Sequence, residues 1–197
     1  MPKTMRIPVI FFVSLLFVTP VNGYAQEDVV ETPELMAEAA ILMEAQSGQI
    51  LYSKNADQPM YPASITKILT GIIAIESGKL DDVVTVSQNA FNAGGTRVYL
   101  EVGEQKELRD LVYGLLVNSG NDAAVAIAEH LGGTVEGFAK MMNGKARELG
   151  AENSHFVNPS GMPHEEHVTT ARDMARITRY AMNNDTFREV VGTKEYA

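Results

Sequence analysis

Cysteine is absent from the 197 residues, which removes thiol catalysis, disulfide staples and cysteine metal sites together. Histidine is scarce: His130, His155, His164 and His167 are all there are. None forms H-E-x-x-H, their spacing makes no metal set, and they read as solvated loop or cap residues. No metal and no cofactor is implied. Positive charge is in deficit, with 16 Lys and Arg against 25 Asp and Glu and a formal charge of -9. That balance argues against nucleic acid as a partner, because phosphate binding needs a basic face. Internal repeats and low-complexity tracts are absent too.

What is present is ordinary for a globular protein: 45% hydrophobic and 21% charged residues, in a chain long enough for one domain or one domain plus part of another. The first 25 residues read as a secretory signal peptide. Lys3 and Arg6 supply the positive start, and residues 7–18 are apolar apart from Pro8 and Ser14. Gly23 and Ala25 offer small side chains before a cleavage point at Gln26. The apolar run is short for a membrane-spanning helix; the alternative is an uncleaved N-terminal anchor. The expected location is therefore outside the cytoplasm, in the periplasm or at the outer face of the cytoplasmic membrane. Residues 26–38 are acidic and patternless, and read as a flexible segment.

From residue 39 the pattern becomes regular. Residues 39–45 and 49–53 flank Gln46-Ser47-Gly48 and predict a β-hairpin. Residues 64–76 predict a helix entered after Pro62 and apolar on more than one face, hence central and buried. Residues 83–86 and 97–100 are strand candidates, with Gly94-Gly95 in a loop between them. Helices are expected near 108–116, 122–131, 135–149 and 170–182, and a short one near 185–191. Residues 151–168 read as a loop. The order suggests an α/β protein, helix-rich in the middle with β elements near both ends, in which a sheet packs against a helical cluster.

Chemistry enters at Ser64-Ile65-Thr66-Lys67. Residues i and i+3 share a helical face, so the Ser64 hydroxyl and the Lys67 amine can meet. A serine needs a base to become a nucleophile, and a lysine supplies one when burial lowers its pKa. The spacing alone is common and equally describes an N-cap serine with a solvated lysine. Two features favour the chemical reading: Lys67 enters a strongly apolar helix, and Ser119-Gly120-Asn121 sits at a turn between two helices. Such a turn projects a hydroxyl and a carboxamide into a cleft, although Ser119 or Asn121 also suits a plain helix cap.

Together the two motifs resemble the low-molecular-mass penicillin-binding proteins, and most closely the serine D-alanyl-D-alanine carboxypeptidases. Pro62-Ala63-Ser64-Ile65-Thr66-Lys67, Ser119-Gly120-Asn121-Asp122-Ala123, His155-Phe156-x-Asn158-Pro159-x-Gly161 and Thr170-Ala171-Arg172-Asp173-Met174-Ala175 all carry the likeness, which covers roughly residues 39–197. It implies a β-lactamase/transpeptidase-like fold, a helical cluster packed on an antiparallel sheet that is incomplete in this chain. It further implies that Ser64 attacks the terminal D-Ala-D-Ala peptide bond of a peptidoglycan stem peptide to form an acyl-serine. Lys67 would take its proton, Ser119 would relay a proton toward the leaving amine, and Asn121 would hold Lys67 and the substrate amide. The Ser64 backbone N–H would be one oxyanion donor, and β-lactam inhibitors would acylate Ser64 in the same way.

One element of the pattern is missing. The family's third motif, K-T-G or K-S-G, which receives the substrate carboxylate, does not occur. Gly192-Thr193-Lys194 holds those letters reversed and carries no functional weight. The expectation is a C-terminally truncated sequence or half of a bipartite site, and the membrane-binding tail of many family members is absent, so membrane association is not indicated. Two alternatives stand beside the carboxypeptidase. A class A serine β-lactamase shares S-x-x-K but uses S-D-N and a deacylating glutamate; Glu165 and Glu166 lie in a suitable loop yet read as surface charges. The other alternative is a catalytically inactive peptidoglycan-binding module.

Overall fold

Helix α1, Lys67–Glu76, is the element around which the others gather, and its composition explains why. Leu69, Ile72 and Ala74 are fully buried, and Ile73 and Ile75 nearly so, on faces that no single neighbour could cover. Five helices therefore pack on it. Gly71 admits the closest approach, since a Cβ there would come within 2.9 Å of both terminal methyls of Leu116. A 3-10 turn, Ala63–Thr66, precedes α1, so the expected single helix from residue 64 is a tight turn followed by an α-helix.

The computed structural model describes residues 34–196, and from Met36 onward they belong to one compact unit. The expected signal segment, residues 1–25, lies outside the described residues, as do residues 26–33 of the segment that follows it.

Strands β1 (Ala40–Met43) and β2 (Ile50–Lys54) form the expected antiparallel hairpin, with a register shift between Leu42 and Met43. Its turn is held by the Glu44 carboxylate, which accepts from Gln46 N and from Ser47 Oγ at 3.0 and 2.6 Å. Gly48, at φ +76°, closes the turn. Among the described residues this hairpin is a two-stranded sheet of its own, packed by β1 against α6 (Ala171–Ala181).

A second small sheet pairs β3 (Val83–Thr85) with β4 (Gln105–Glu107). Between them lies a one-turn helix, α2 (Gln88–Phe91), started by Ser87. Helices α3 (Leu108–Leu116), α4 (Asn121–Gly132) and α5 (Val135–Glu148) follow in the expected places. After the loop of residues 151–168 come α6 and α7 (Asp185–Gly192). Serine, threonine and asparagine caps start several of these helices: Thr134 accepts from Gly137 N, Thr170 from Asp173 N and Asn184 from Phe187 N.

Three expectations are corrected. Residues 97–100 are not a strand, because the buried Asp122 carboxylate accepts from Val98 N at 3.0 Å and from Leu100 N at 3.1 Å. Those donors are used by a side chain rather than a ladder. Among the described residues all four strands precede Leu108 and the last two elements, α6 and α7, are helices, so strands do not flank the helices on both sides; beyond β4 only the isolated bridges Met60–Thr169 and His155–Val168 occur. His167 is buried, 1% exposed, rather than solvated, because Thr66, 101 residues earlier, and Val157, ten residues earlier, satisfy both ring nitrogens.

Candidate active site

The 3-10 turn presents Ser64 at the surface and turns Lys67 inward. Ser64 is exposed, whereas Lys67 is 3% exposed. Ala63, immediately before the serine, holds φ +48°, a left-handed conformation that a non-glycine residue adopts at a cost. The loop of residues 158–162 keeps it there. Gly161, at φ +84°, lies so close that any Cβ on it would overlap the Ala63 carbonyl oxygen and come within 2.9 Å of Thr66 Oγ1.

The Lys67 amine has two partners among the described residues. It lies 3.2 Å from Ser64 Oγ and donates to the Ser160 carbonyl at 2.9 Å. Among the described residues no carboxylate pairs with it. Burial without a counter-charge disfavours the ammonium, and the pKa of Lys67 falls from 10.5 to about 8. A neutral amine in this position donates to Ser160 and offers its lone pair to the Ser64 hydroxyl. The arrangement therefore allows a proton to pass from Ser64 to Lys67 without a histidine or a metal ligand.

Ser160 carries no side-chain signal for this role, because it acts through its carbonyl. Asn158 does signal it, being an Asx-type organiser of the loop. Its Oδ1 accepts from Gly161 N at 2.8 Å and Met162 N at 3.1 Å, while Nδ2 donates to Met162 O at 2.9 Å. Thr70, one turn into α1, donates to the Pro159 carbonyl at 2.7 Å.

The second motif forms the turn between α3 and α4. Ser119 has φ +59° and is half-buried. Asn121 opens α4 and is buried; its Nδ2 donates to Gly94 O at 2.6 Å and lies 3.5 Å from Met162 Sδ. Met162 belongs to the loop that also supplies Ser160, so the loop touches Lys67 with one residue and Asn121 with another. The expected Asn121–Lys67 hydrogen bond is not made in this structure. Asn121 Nδ2 is committed to the Gly94 carbonyl, and the Lys67 amine donates to Ser160 O.

Asp122 holds this turn from behind. Fully buried, it accepts from the N–H groups of Val98, Leu100 and Ala123, with Arg97 Nε at 3.7 Å. Arg97 in turn stands over the rings of Phe91 and Tyr99. Glu165 and Glu166 are exposed, and among the described residues neither hydrogen-bonds or ion-pairs with Ser64 or Lys67.

Comparison with known proteins agrees with the geometry. The profile of the D-alanyl-D-alanine carboxypeptidase family, peptidase S11, matches residues 26–197. The D-alanyl-D-alanine carboxypeptidase DacF of Bacillus subtilis is 39% identical over 181 residues, which is 88% of this chain and 46% of that protein. DacC of Escherichia coli is 37% identical over 193 residues, 92% of this chain and 48% of that protein. Among solved structures, the carboxypeptidase DacD of Francisella tularensis superposes with a TM-score of 0.77 at 40% identity, covering 89% of this chain and 45% of that one. Penicillin binding protein 5 of Haemophilus influenzae gives 0.79 at 34% identity, over 85% and 51%. The chain thus spans about half the length of these curated relatives. Likeness to these structures bears out the β-lactamase/transpeptidase-like fold expected from the motifs.

Proposed function

We propose that this chain, which belongs to the D-alanyl-D-alanine carboxypeptidase family of S11 peptidases, carries the nucleophile and base of an acyl-serine site that removes the terminal D-alanine from peptidoglycan stem peptides. The observation that carries the proposal is the buried, uncompensated Lys67 amine 3.2 Å from the exposed Ser64 hydroxyl.

In this reading the neutral Lys67 amine takes the Ser64 proton as Oγ attacks the penultimate D-alanine carbonyl. The Ser64 N–H donates to the oxyanion; such a donor contributes about 3–4 kcal/mol. Collapse breaks the C–N bond, the proton passes by way of Ser119 to the departing amine, and free D-alanine leaves. Asn121, fixed by Gly94, orients the substrate amide. Water then attacks the acyl-serine and regenerates Ser64. The K-T-G motif is not in the sequence, so the group receiving the substrate carboxylate is assigned to no residue of this chain.

A β-lactam presents the same kind of carbonyl and acylates Ser64 by the same step. The proposed location is outside the cytoplasmic membrane, in keeping with the positively charged, apolar start of the sequence. Among the described residues no helix is long and apolar enough to cross a membrane.

The test is release of free D-alanine from a pentapeptide ending in D-Ala-D-Ala, run beside steady-state penicillin hydrolysis. D-alanine release with negligible penicillin turnover supports the proposal. Rapid penicillin turnover without D-alanine release contradicts it.

A further inference from the structure

His167 lies between two parts of the site without touching the reacting atoms. Val157 N–H donates to its Nδ1 at 3.1 Å. An amide N–H only donates, so Nδ1 accepts and the ring proton sits on Nε2. Nε2 then donates to Thr66 Oγ1 at 2.9 Å. Phe156 meets the ring edge-on, with centroids 5.5 Å apart. Thr66 is the residue before Lys67, and Val157 begins the stretch that leads to Ser160. The contacts close a ring: from Lys67 back one residue to Thr66, across His167 to Val157, along the chain to Ser160, and by its carbonyl to the Lys67 amine.

We propose that His167 is a positioning residue for the acyl-serine pair: protonated on Nε2, it pins the Ser64–Lys67 turn to the loop of residues 157–160 and so fixes the Ser160 carbonyl against the Lys67 amine. The inference rests on the acyl-serine reading above and adds a group that the reaction scheme does not use. Its geometry is demanding, because one ring must accept from one element and donate to another. Nearby structure favours that form. Burial, with His155 and His164 adding like charge from the same loop, brings the pKa of His167 down to about 4. Lys67 follows Thr66 on the facing turn. In the imidazolium both nitrogens carry protons, and the Nδ1 proton would confront Val157 N–H.

The role differs from simple core filling in what it predicts. A leucine at the position fills the space and makes neither bond. A glutamine keeps one donor and one acceptor on a side chain of similar reach. A valine at position 66 removes only the acceptor hydroxyl and leaves His167 in place.

The experiment measures the rate of penicillin acylation of Ser64 by intact mass across pH, in the wild-type protein and in H167L, H167Q and T66V. Misplacing a base by a fraction of an ångström to 1 Å costs about 10- to 100-fold in rate. H167L and T66V are expected to lose that much, and their acylation midpoints to move above the wild-type value as the Lys67 amine becomes less enclosed. H167Q is expected to retain most of the rate and the wild-type midpoint. If H167L does not fold, T66V carries the test. Wild-type rate and midpoint in T66V overturn the inference alone. A wild-type protein that takes no label on Ser64 overturns the acyl-serine reading and this inference with it.

Discussion

The Gly161 backbone lies against the Ala63 carbonyl, and a Cβ at Gly161 would overlap that oxygen. The contact joins the loop that supplies the Lys67 acceptor to the turn that carries Ser64. Gly161 is also at φ +84°, where an L side chain is strained even without the clash. Gly161→Ala is therefore expected to destabilise the protein by about 3 kcal/mol and to slow acylation. Gly144→Ala is the control, since a Cβ there meets nothing within 4 Å and alanine favours the helix. Denaturant midpoints separate the two. Equal midpoints would remove the argument that this contact shapes the site.

Lys67 sets a pH profile. With its pKa at about 8, the neutral amine becomes the dominant form above that pH, so acylation by penicillin should rise through pH 8 and level off. Stability follows the same group. The folded pKa lies below the unfolded value of 10.5, so between pH 8 and 10.5 the folded state binds fewer protons and stability increases with pH. Lys67→Ala should abolish acylation of Ser64 while leaving the fold intact by circular dichroism. An alanine variant that labels at the wild-type rate would show that Lys67 is not the base.

His167 acts at the acid end. Its folded pKa of about 4 lies below the ordinary 6.5, so its contribution to stability is complete above pH 6.5 and is lost as the pH falls toward 4. The full loss is on the order of 3 kcal/mol. Urea titrations at pH 7 and pH 4.5 should show that decline in the wild-type protein and a smaller one in H167Q. Parallel declines would mean that the acid sensitivity lies elsewhere.

Asp122 ties residues 98 and 100 to the start of α4, next to the Ser119–Asn121 turn, through three backbone donors with the Arg97 guanidinium beside it. In Asp122→Asn one acceptor oxygen becomes a donor, leaving Val98 or Leu100 N–H buried and unpaired at about 1–3 kcal/mol. The predicted signature is lower stability together with faster amide exchange at residues 98 and 100. Unchanged exchange there would contradict the assignment.

Much of the scaffold was readable because local physics decides it. The apolar positions of α1 recur on several faces, the hairpin has its Ser-Gly turn, and Thr170 is followed at the proper distance by Asp173. The Ser64–Lys67 pairing follows from i, i+3 spacing. What escaped reading depends on distant partners. Residues 97–100 have strand-like composition, but Asp122, more than twenty residues away, captures their donors. β4 is Gln105-Lys106-Glu107 and carries no apolar alternation, so only its pairing with β3 defines it. Ser160 acts through a carbonyl, which every residue possesses. His167 reads as a loop histidine until Thr66, 101 residues earlier, is seen against its ring.

The central claim is that Ser64 is a nucleophile activated by Lys67. Intact-mass spectrometry of the protein after incubation with penicillin, with peptide mapping of the adduct, tests it most directly. One covalent adduct per chain is expected, on Ser64, absent from Ser64→Ala and formed faster above pH 8 than below it. A well-folded protein that takes no adduct, or one whose adduct persists in Ser64→Ala, would contradict it.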